Sequence, residues 1–220
     1  MNYILAPSIL SADFKNLGQE IKKTEENGAK FLHFDVMDGL FVPSISFGVP
    51  VLKSIRSATS QVIDAHLMIK EPIRYIETFK DAGADYVTVH LEACENVEKT
   101  LTKIRECGMK VGLSICPETE VEKLIPYVEM LDLILIMGVH PGFGGQKLIP
   151  ETFDRLRQVR QILNERNLEV DVQVDGGVHL GNLRDILDAG ANVIVTGSAV
   201  FNGDVEANTR KFMEILKDYE

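Results

Sequence analysis

Hydrophobic and polar positions along the 220-residue chain alternate between two patterns. Short runs rich in β-branched and aromatic residues recur at 3–8, 31–37, 62–68, 86–91, 110–115, 132–138, 169–175 and 192–197. Between them lie stretches such as NLGQEIKKTEEN and NVEKTLTKIREC, whose apolar residues recur at three-to-four spacing, the signature of a helix with one buried face. Four junctions share one form: ENGAKFLHFD (26–35), DAGADYVTVH (81–90), ECGMKVGLSI (106–115) and DAGANVIVTG (188–197). In each, a glycine closes a helical stretch in the left-handed conformation, and a buried parallel strand follows. Regular strand–helix alternation without an internal linker predicts one α/β domain spanning 1–220. Eight repeats in this length fit a closed (β/α)8 TIM barrel better than an open doubly wound sheet. No GxGxxG follows the first strand, which argues against dinucleotide binding.

Parity within the strands carries the chemistry. Alternate side chains of a strand face the same way. In FLHFDVM (31–37), Leu32, Phe34 and Val36 suit the helix side, so His33, Asp35 and Met37 point into the barrel. VIDAHLMI (62–69) repeats the pattern with Asp64, His66 and Met68 inward, and EVDVQVD (169–175) with Asp171, Gln173 and Asp175 inward. Buried ionisable groups are costly unless paired or ligated. His33, Asp35, His66 and Asp175 offer two imidazoles and two carboxylates, a competent set of ligands for one divalent cation per subunit. Zinc is favoured, with iron(II), manganese or cobalt as alternatives. The bland reading is a buried His–Asp salt-bridge network, which weakens as four such residues share inward parity at strand ends. Met37, Met68 and Met137 lie at or near strand ends and either fill core or line the site. His90, Glu92 and Asp64 read as supporting groups, and His179 as a surface residue.

Glycine-rich turns after the last three strands point to phosphate. HPGFGGQ (140–146), DGGV (175–178) and TGSAVF (196–201) expose backbone N–H groups beside helix starts, where phosphate sites of this fold usually lie. Ser8 ends the first strand with inward parity and can offer a hydroxyl to a substrate. No G-x-S-x-G elbow surrounds any serine, and no lysine sits at the inward C-terminal end of a strand. Both absences count against a serine hydrolase and a Schiff-base aldolase.

Composition narrows the partners. A formal charge of −10 disfavours nucleic acid, no apolar run reaches membrane-spanning length, and the N-terminus lacks a secretory pattern. Three cysteines without a CxxC pair read as free thiols of a cytoplasmic protein. A cation held by carboxylates beside a phosphate cradle suits proton abstraction next to a carbonyl. Asp35 and Asp175, on strands far apart around the barrel, can serve opposite faces of a planar intermediate and so invert a stereocentre.

These features come together in one family. APSILSADF (6–14), HFDVMDGLFVP (33–43), DAHLMI (64–69), DAGADYVTVH, HPGFGGQKLIP (140–150), VDGGV (174–178) and TGSAVF, in this order, make the chain similar to ribulose-phosphate 3-epimerases. The resemblance implies a TIM barrel of the ribulose-phosphate-binding type. It implies an isomerase interconverting D-ribulose 5-phosphate and D-xylulose 5-phosphate in the pentose phosphate pathway. It implies a metal on His33, Asp35, His66 and Asp175, with Asp35 as proton acceptor and Asp175 as donor. By the same carry-over Ser8 and His66 touch the sugar, while Gly142, Phe143, Gly144, Gly145, Gly176, Gly177, Gly197 and Ser198 hold the phosphate end. Family members are commonly homo-oligomers, from dimers to hexamers. This chain departs from the usual pattern in having His140 for Asn, Gly138 for a common Ser, and Cys116 for an Asn before Pro117. The alternative activity is that of a sister epimerase acting on a six-carbon ketose phosphate such as D-allulose 6-phosphate. A phosphate-barrel lyase would want a lysine among the carboxylates, and a non-catalytic barrel would have lost a ligand.

Overall fold

In the computed structural model, which describes residues 2–220, each apolar run becomes a strand of one parallel sheet. The strands are β1 (Ile4–Pro7), β2 (Phe31–Met37), β3 (Val62–Met68), β4 (Tyr86–His90), β5 (Lys110–Ile115), β6 (Leu133–Met137), β7 (Asp171–Asp175) and β8 (Val193–Thr196). Their order is β1-β8-β7-β6-β5-β4-β3-β2, so only the β2–β1 seam remains to be closed. A parallel bridge between Ser8 and His33 closes it, at the C-terminal end of β1. Several strands are one or two residues shorter than their sequence pattern. An apolar run continues extended past the point where a barrel neighbour can pair with it.

Helices α1 (Leu17–Glu26), α2 (Val49–Arg56), α3 (Ile76–Ala82), α4 (Val97–Glu106), α5 (Thr152–Glu165), α6 (Leu183–Asp188), α7 (Ser198–Phe201) and α8 (Val205–Lys217) follow the strands. Their ends obey local chemistry. Asn96 caps α4 by accepting the Lys99 N–H at 2.9 Å, with Glu98 in the first turn and Lys103 and Arg105 in the last, as the helix dipole favours. Gly83 ends α3 at φ +98°, its N–H turned back to the Lys80 carbonyl. One expected helix is missing. Between β5 and β6 the chain forms only the short 3₁₀ turns Val121–Leu124 and Val128–Met130. Pro126 sits between them, where it removes an N–H and blocks an α-helical register.

Two apolar cores result. The outward residues of the strands, among them Leu32, Phe34, Val36, Ile63, Leu67 and Val172, pack under the helices. A smaller inner cluster of Ile4, Ala6, Phe31, Leu133, Leu135 and Met137 fills one side of the barrel. The rest of the interior carries buried polar side chains of β2, β3, β4 and β7, among them His33, Asp64, Thr88 and Gln173. No helix among the described residues is long and apolar enough to cross a membrane.

At the opposite end of the barrel from the closing bridge, Asn192 ties three strands together. Its Oδ1 accepts the Val172 N–H at 2.8 Å and an Arg160 N–H at 3.0 Å, and its Nδ2 donates to the Asn2 carbonyl and to Asp171. Asn192→Ala leaves a buried backbone N–H without a partner, at a cost of about 1–3 kcal/mol. The expected result is a lower urea midpoint with an unchanged slope and unchanged turnover per folded molecule. An unaltered midpoint would refute this assignment.

Candidate active site and metal centre

The polar half of the interior is assembled by register. β2 and β3 pair in parallel with His33 opposite Asp64, Asp35 opposite His66 and Met37 opposite Met68. Each imidazole therefore faces a carboxylate across the seam. His33 Nδ1 lies 3.0 Å from Asp64 Oδ2, and His66 Nδ1 lies 3.0 Å from Asp35 Oδ1. Asp64 only accepts, so His33 carries a proton on Nδ1, and Nε2 is the ring atom turned toward the other three residues. Asp64 is itself held by the Thr88 hydroxyl at 2.8 Å and the Gln173 amide at 2.9 Å. β7 delivers Asp175 from the far side, where Oδ2 comes within 4.0 Å of His33 Nε2 and 3.8 Å of His66 Nδ1.

One atom from each of His33, Asp35, His66 and Asp175 lies within 4.8 Å of all the others. The closest separations are 3.0 Å between His66 Nδ1 and Asp35 Oδ1, then 3.2 Å from His33 Nε2 to both His66 Nδ1 and Asp35 Oδ1. Ligands at about 2.0–2.2 Å from a tetrahedral zinc stand about 3.3 Å apart. The donor set therefore fits a divalent cation in number, type and spacing. Asp64 supplies the outer carboxylate that ligating imidazoles commonly carry.

Electrostatics separates the two catalytic candidates. Burial acts to raise the Asp35 carboxyl, but His33 and His66 outweigh it and hold Asp35 well below the usual carboxylate range. Burial and then the like charge of Asp35 push Asp175 up to about 7. Burial opposes charge on His33, yet Asp35 and Asp64 raise it well above the ordinary histidine value. His66 is lowered by burial and by His33, and burial takes His90 down to about 4. Without a cation, the protons in this site sit on His33 and Asp175.

Above this cluster opens a cavity of about 730 Å³. Asp35 and Asp175 sit on its floor, Met37, Met68 and Met137 on its wall, and Ser8 beside them. The Ser8 hydroxyl donates to Asp35 Oδ2 at 2.5 Å, which fixes the carboxylate. The predicted glycine residues 142, 144, 145, 176, 177 and 197, with Phe143 and Ser198, line the other side of the same cavity. Gly177 has φ +72°, and a Cβ there would fall 2.2 Å from the Leu148 backbone N. Gly197 lies so close to Ser11 that a Cβ would meet its Oγ at 2.6 Å. His66 is buried beneath the floor, with its contacts made to protein groups. His179 is exposed and outside the cluster, although it touches the cavity edge. Asp171 lies at the opposite end of β7 from Asp175.

Sequence reasoning missed three things here. It did not foresee the bond from Ser8 to Asp35, although the shared inward parity of both residues allowed it. It did not place Thr88 or Gln173 on Asp64. Nor did it see that His66 and His90 meet edge to edge with their Nε2 atoms 2.8 Å apart and their rings 25° from coplanar, a contact set by the β3–β4 register.

The family model "Ribulose-phosphate 3 epimerase family" matches residues 4–201. The chain belongs to the ribulose-phosphate 3-epimerase family. It is 50% identical over 203 residues to a ribulose-phosphate 3-epimerase of Synechocystis sp., covering 91% of this chain and 88% of that protein. The corresponding protein of Escherichia coli K12 is 46% identical over 201 residues, covering 91% and 89%. That of Bacillus subtilis is 45% identical over 198 residues, covering 90% and 91%. The family is one of epimerases, in the isomerase class. More distant solved structures share the fold alone. A 3-hexulose-6-phosphate synthase superposes with TM-score 0.69 at 17% identity, covering 97% of this chain and 99% of that one. An orotidine 5'-phosphate decarboxylase from Pyrococcus horikoshii gives 0.70 at 15%, covering 97% and 99%.

A cation entering this cluster must displace the protons on His33 and Asp175. Cation affinity is therefore expected to rise with pH through neutrality, with release of up to about two protons per ion. Titration calorimetry in buffers of different ionisation heat measures this directly. Binding without proton release across that range would contradict the charge assignment.

Proposed function

We propose that the protein interconverts D-ribulose 5-phosphate and D-xylulose 5-phosphate by inverting the carbon beside the ketone, with Asp35 and Asp175 as the two proton-transfer groups. The observation that carries this reading is their contrast. Two carboxylates converge on one cavity floor, Asp35 held low by its histidines and Asp175 pushed up to about 7 by burial and by its neighbour. Environments that push two like groups apart in this way mark an acid and a base.

Asp35 comes from β2 and Asp175 from β7, three strands apart around the barrel through β1 and β8. A sugar lying flat between them meets one carboxylate on each face. Ionised Asp35 takes the proton from the carbon next to the carbonyl. Protonated Asp175 returns one to the opposite face, and the stereocentre is inverted. In the reverse direction the roles exchange. Ser8 keeps Asp35 aimed at the substrate, and the methionine wall excludes water from the planar intermediate. His33, Asp35, His66 and Asp175 would hold a divalent cation, which supplies Lewis-acid polarisation of the substrate carbonyl. The donor set supports zinc, with iron(II), manganese and cobalt compatible with the same ligands.

The phosphate end is read onto the glycine turns. Gly142 to Gly145, Gly176 and Gly177, and Gly197 with Ser198 converge on one side of the cavity, at the barrel end where this fold usually binds phosphate. We also read the protein as one cytoplasmic domain acting as a homo-oligomer between dimer and hexamer. Sedimentation of the full chain measures the subunit number.

Solvent deuterium uptake, followed from each epimer separately, tests the two-carboxylate reading. In Asp175→Asn shown to keep its metal, one epimer should still exchange its proton without inverting, while turnover falls at least about a hundredfold. If that variant inverts both epimers at the normal rate, the mechanism fails. A second measurement addresses the substrate. Gly197→Val should raise KM about tenfold or more with a smaller change in kcat, and the unphosphorylated ketose should be a poor substrate. Preference for a six-carbon ketose phosphate over ribulose 5-phosphate would overturn the substrate assignment.

A further inference from the structure

A second convergence of metal-ligating atoms lies one imidazole further out from the four-residue cluster. His90 ends β4, Glu92 sits in the turn that follows, and Cys116 follows β5. One ligand atom from each lies within 4.8 Å of the other two. Cys116 Sγ is 3.6 Å from His90 Nδ1, and Glu92 Oε2 is 3.4 Å from the same nitrogen. Around a tetrahedral zinc, nitrogen and sulfur ligands stand about 3.5 Å apart and nitrogen and oxygen ligands about 3.3 Å. Both separations from His90 Nδ1 already have that spacing.

The surroundings hold them there. Glu92 Oε1 accepts the Cys116 N–H at 2.8 Å and the Thr119 hydroxyl, which leaves Oε2 turned toward His90. Arg155 donates to the carbonyls of Cys116, Pro117 and Thr119 and so pins the segment that carries the thiol. His90 is wholly buried, whereas the Glu92 side chain is 24% exposed, so an ion can reach the group from solvent.

We infer that His90, Glu92 and Cys116 form a second cation site for a thiophilic divalent ion such as zinc, and that its occupation opposes occupation of the His33–Asp35–His66–Asp175 cluster. On binding, the sulfur–metal bond forms and the thiol proton leaves to solvent, with no change of oxidation state. Burial and the Glu92 charge keep the free thiol above its ordinary range, so the thiolate is formed only with a cation.

The antagonism follows from proton geometry, and this part rests on the reading of the inner cluster as a metal centre. His66 and His90 face each other through their Nε2 atoms at 2.8 Å, with room for one proton between them. If His66 gives Nδ1 to an inner ion, its Nε2 carries the proton and donates to His90. His90 then has its own proton on Nδ1, pointing at Glu92 and Cys116. If His90 instead gives Nδ1 to an outer ion, its proton moves to Nε2 and points at His66. His66 must then accept on Nε2 and keep its proton on Nδ1, where it cannot ligate. Two neutral imidazoles cannot satisfy both ions, so each ion weakens the other.

Cobalt(II) titration of the metal-free full chain separates the two sites, because only the outer one contains sulfur. A thiolate-to-cobalt charge-transfer band is expected in the unaltered protein and should be lost in Cys116→Ser. The visible ligand-field absorption of the inner cluster should form in both, at lower cobalt in Cys116→Ser than in the unaltered protein. Glu92→Gln, a second probe of the same site, should weaken the band's apparent affinity at least about tenfold. Asp175→Asn, which weakens the inner cluster, should let the band form at about tenfold lower cobalt or less. A band that persists in Cys116→Ser, or no band at all, overturns the outer site. A band that forms without disturbing the inner absorption overturns the antagonism. An inner absorption that never forms at any cobalt concentration, in Cys116→Ser as well, with the band intact in the unaltered protein, would instead count against the inner metal centre alone.

Discussion

Five ionisable side chains, His33, Asp35, Asp64, His66 and His90, are buried inside the barrel, and the fold tolerates them through strand register. Because β2 and β3 pair in parallel without offset, His33 meets Asp64 and Asp35 meets His66 directly across the seam. A one-residue slip would turn every one of these groups into the helix-packing layer and bring Phe34 and Leu67 into the barrel. The apolar outer core thus enforces the polar inner one. The same pairing satisfies the charges: each imidazole gains a carboxylate, and Asp64 gains Thr88 and Gln173 besides.

The interior is divided accordingly. Ile4, Ala6, Phe31, Leu133 and Leu135 fill one side as ordinary core. The bridge from Ser8 to His33 closes the barrel beside the chemical side, and the Ser8 hydroxyl reaches Asp35 from that same seam. Closure and positioning are one event there.

What was legible in the sequence follows from period-two parity. Parity alone assigned His33, Asp35, His66 and Asp175 to the interior, and Leu32, Phe34 and Val36 to the helix side. The glycines at 28, 83, 108 and 190, each at positive φ, mark the helix-to-strand junctions that the sequence pattern located. Parity does not contain register. The His66–His90 contact, the bonds that hold Asp64, and the meeting of Glu92 with Cys116 all need two strands placed beside each other, and no single run encodes that offset. The missing helix after β5 was obscured differently. VEKLIPYVEM has helical spacing of its apolar residues, and Pro126 interrupts the helix without disturbing that spacing.

Asp35 and Asp175 are the same chemical group within the same few ångströms, yet they differ in charge because of which strands flank them. β2 lies beside β3, so Asp35 shares His66 with it and has His33 two residues before it on the same face. β7 lies between β6 and β8, whose inward residues Leu135, Met137, Val193 and Val195 bring no cation to Asp175. Its nearest charges are the histidines that Asp35 already engages, at 3.8 and 4.0 Å rather than 3.0 and 3.2 Å. Coulomb attraction across that extra distance does not offset the cost of a second buried carboxylate beside the first. The asymmetry that an acid–base pair requires is therefore a property of strand order.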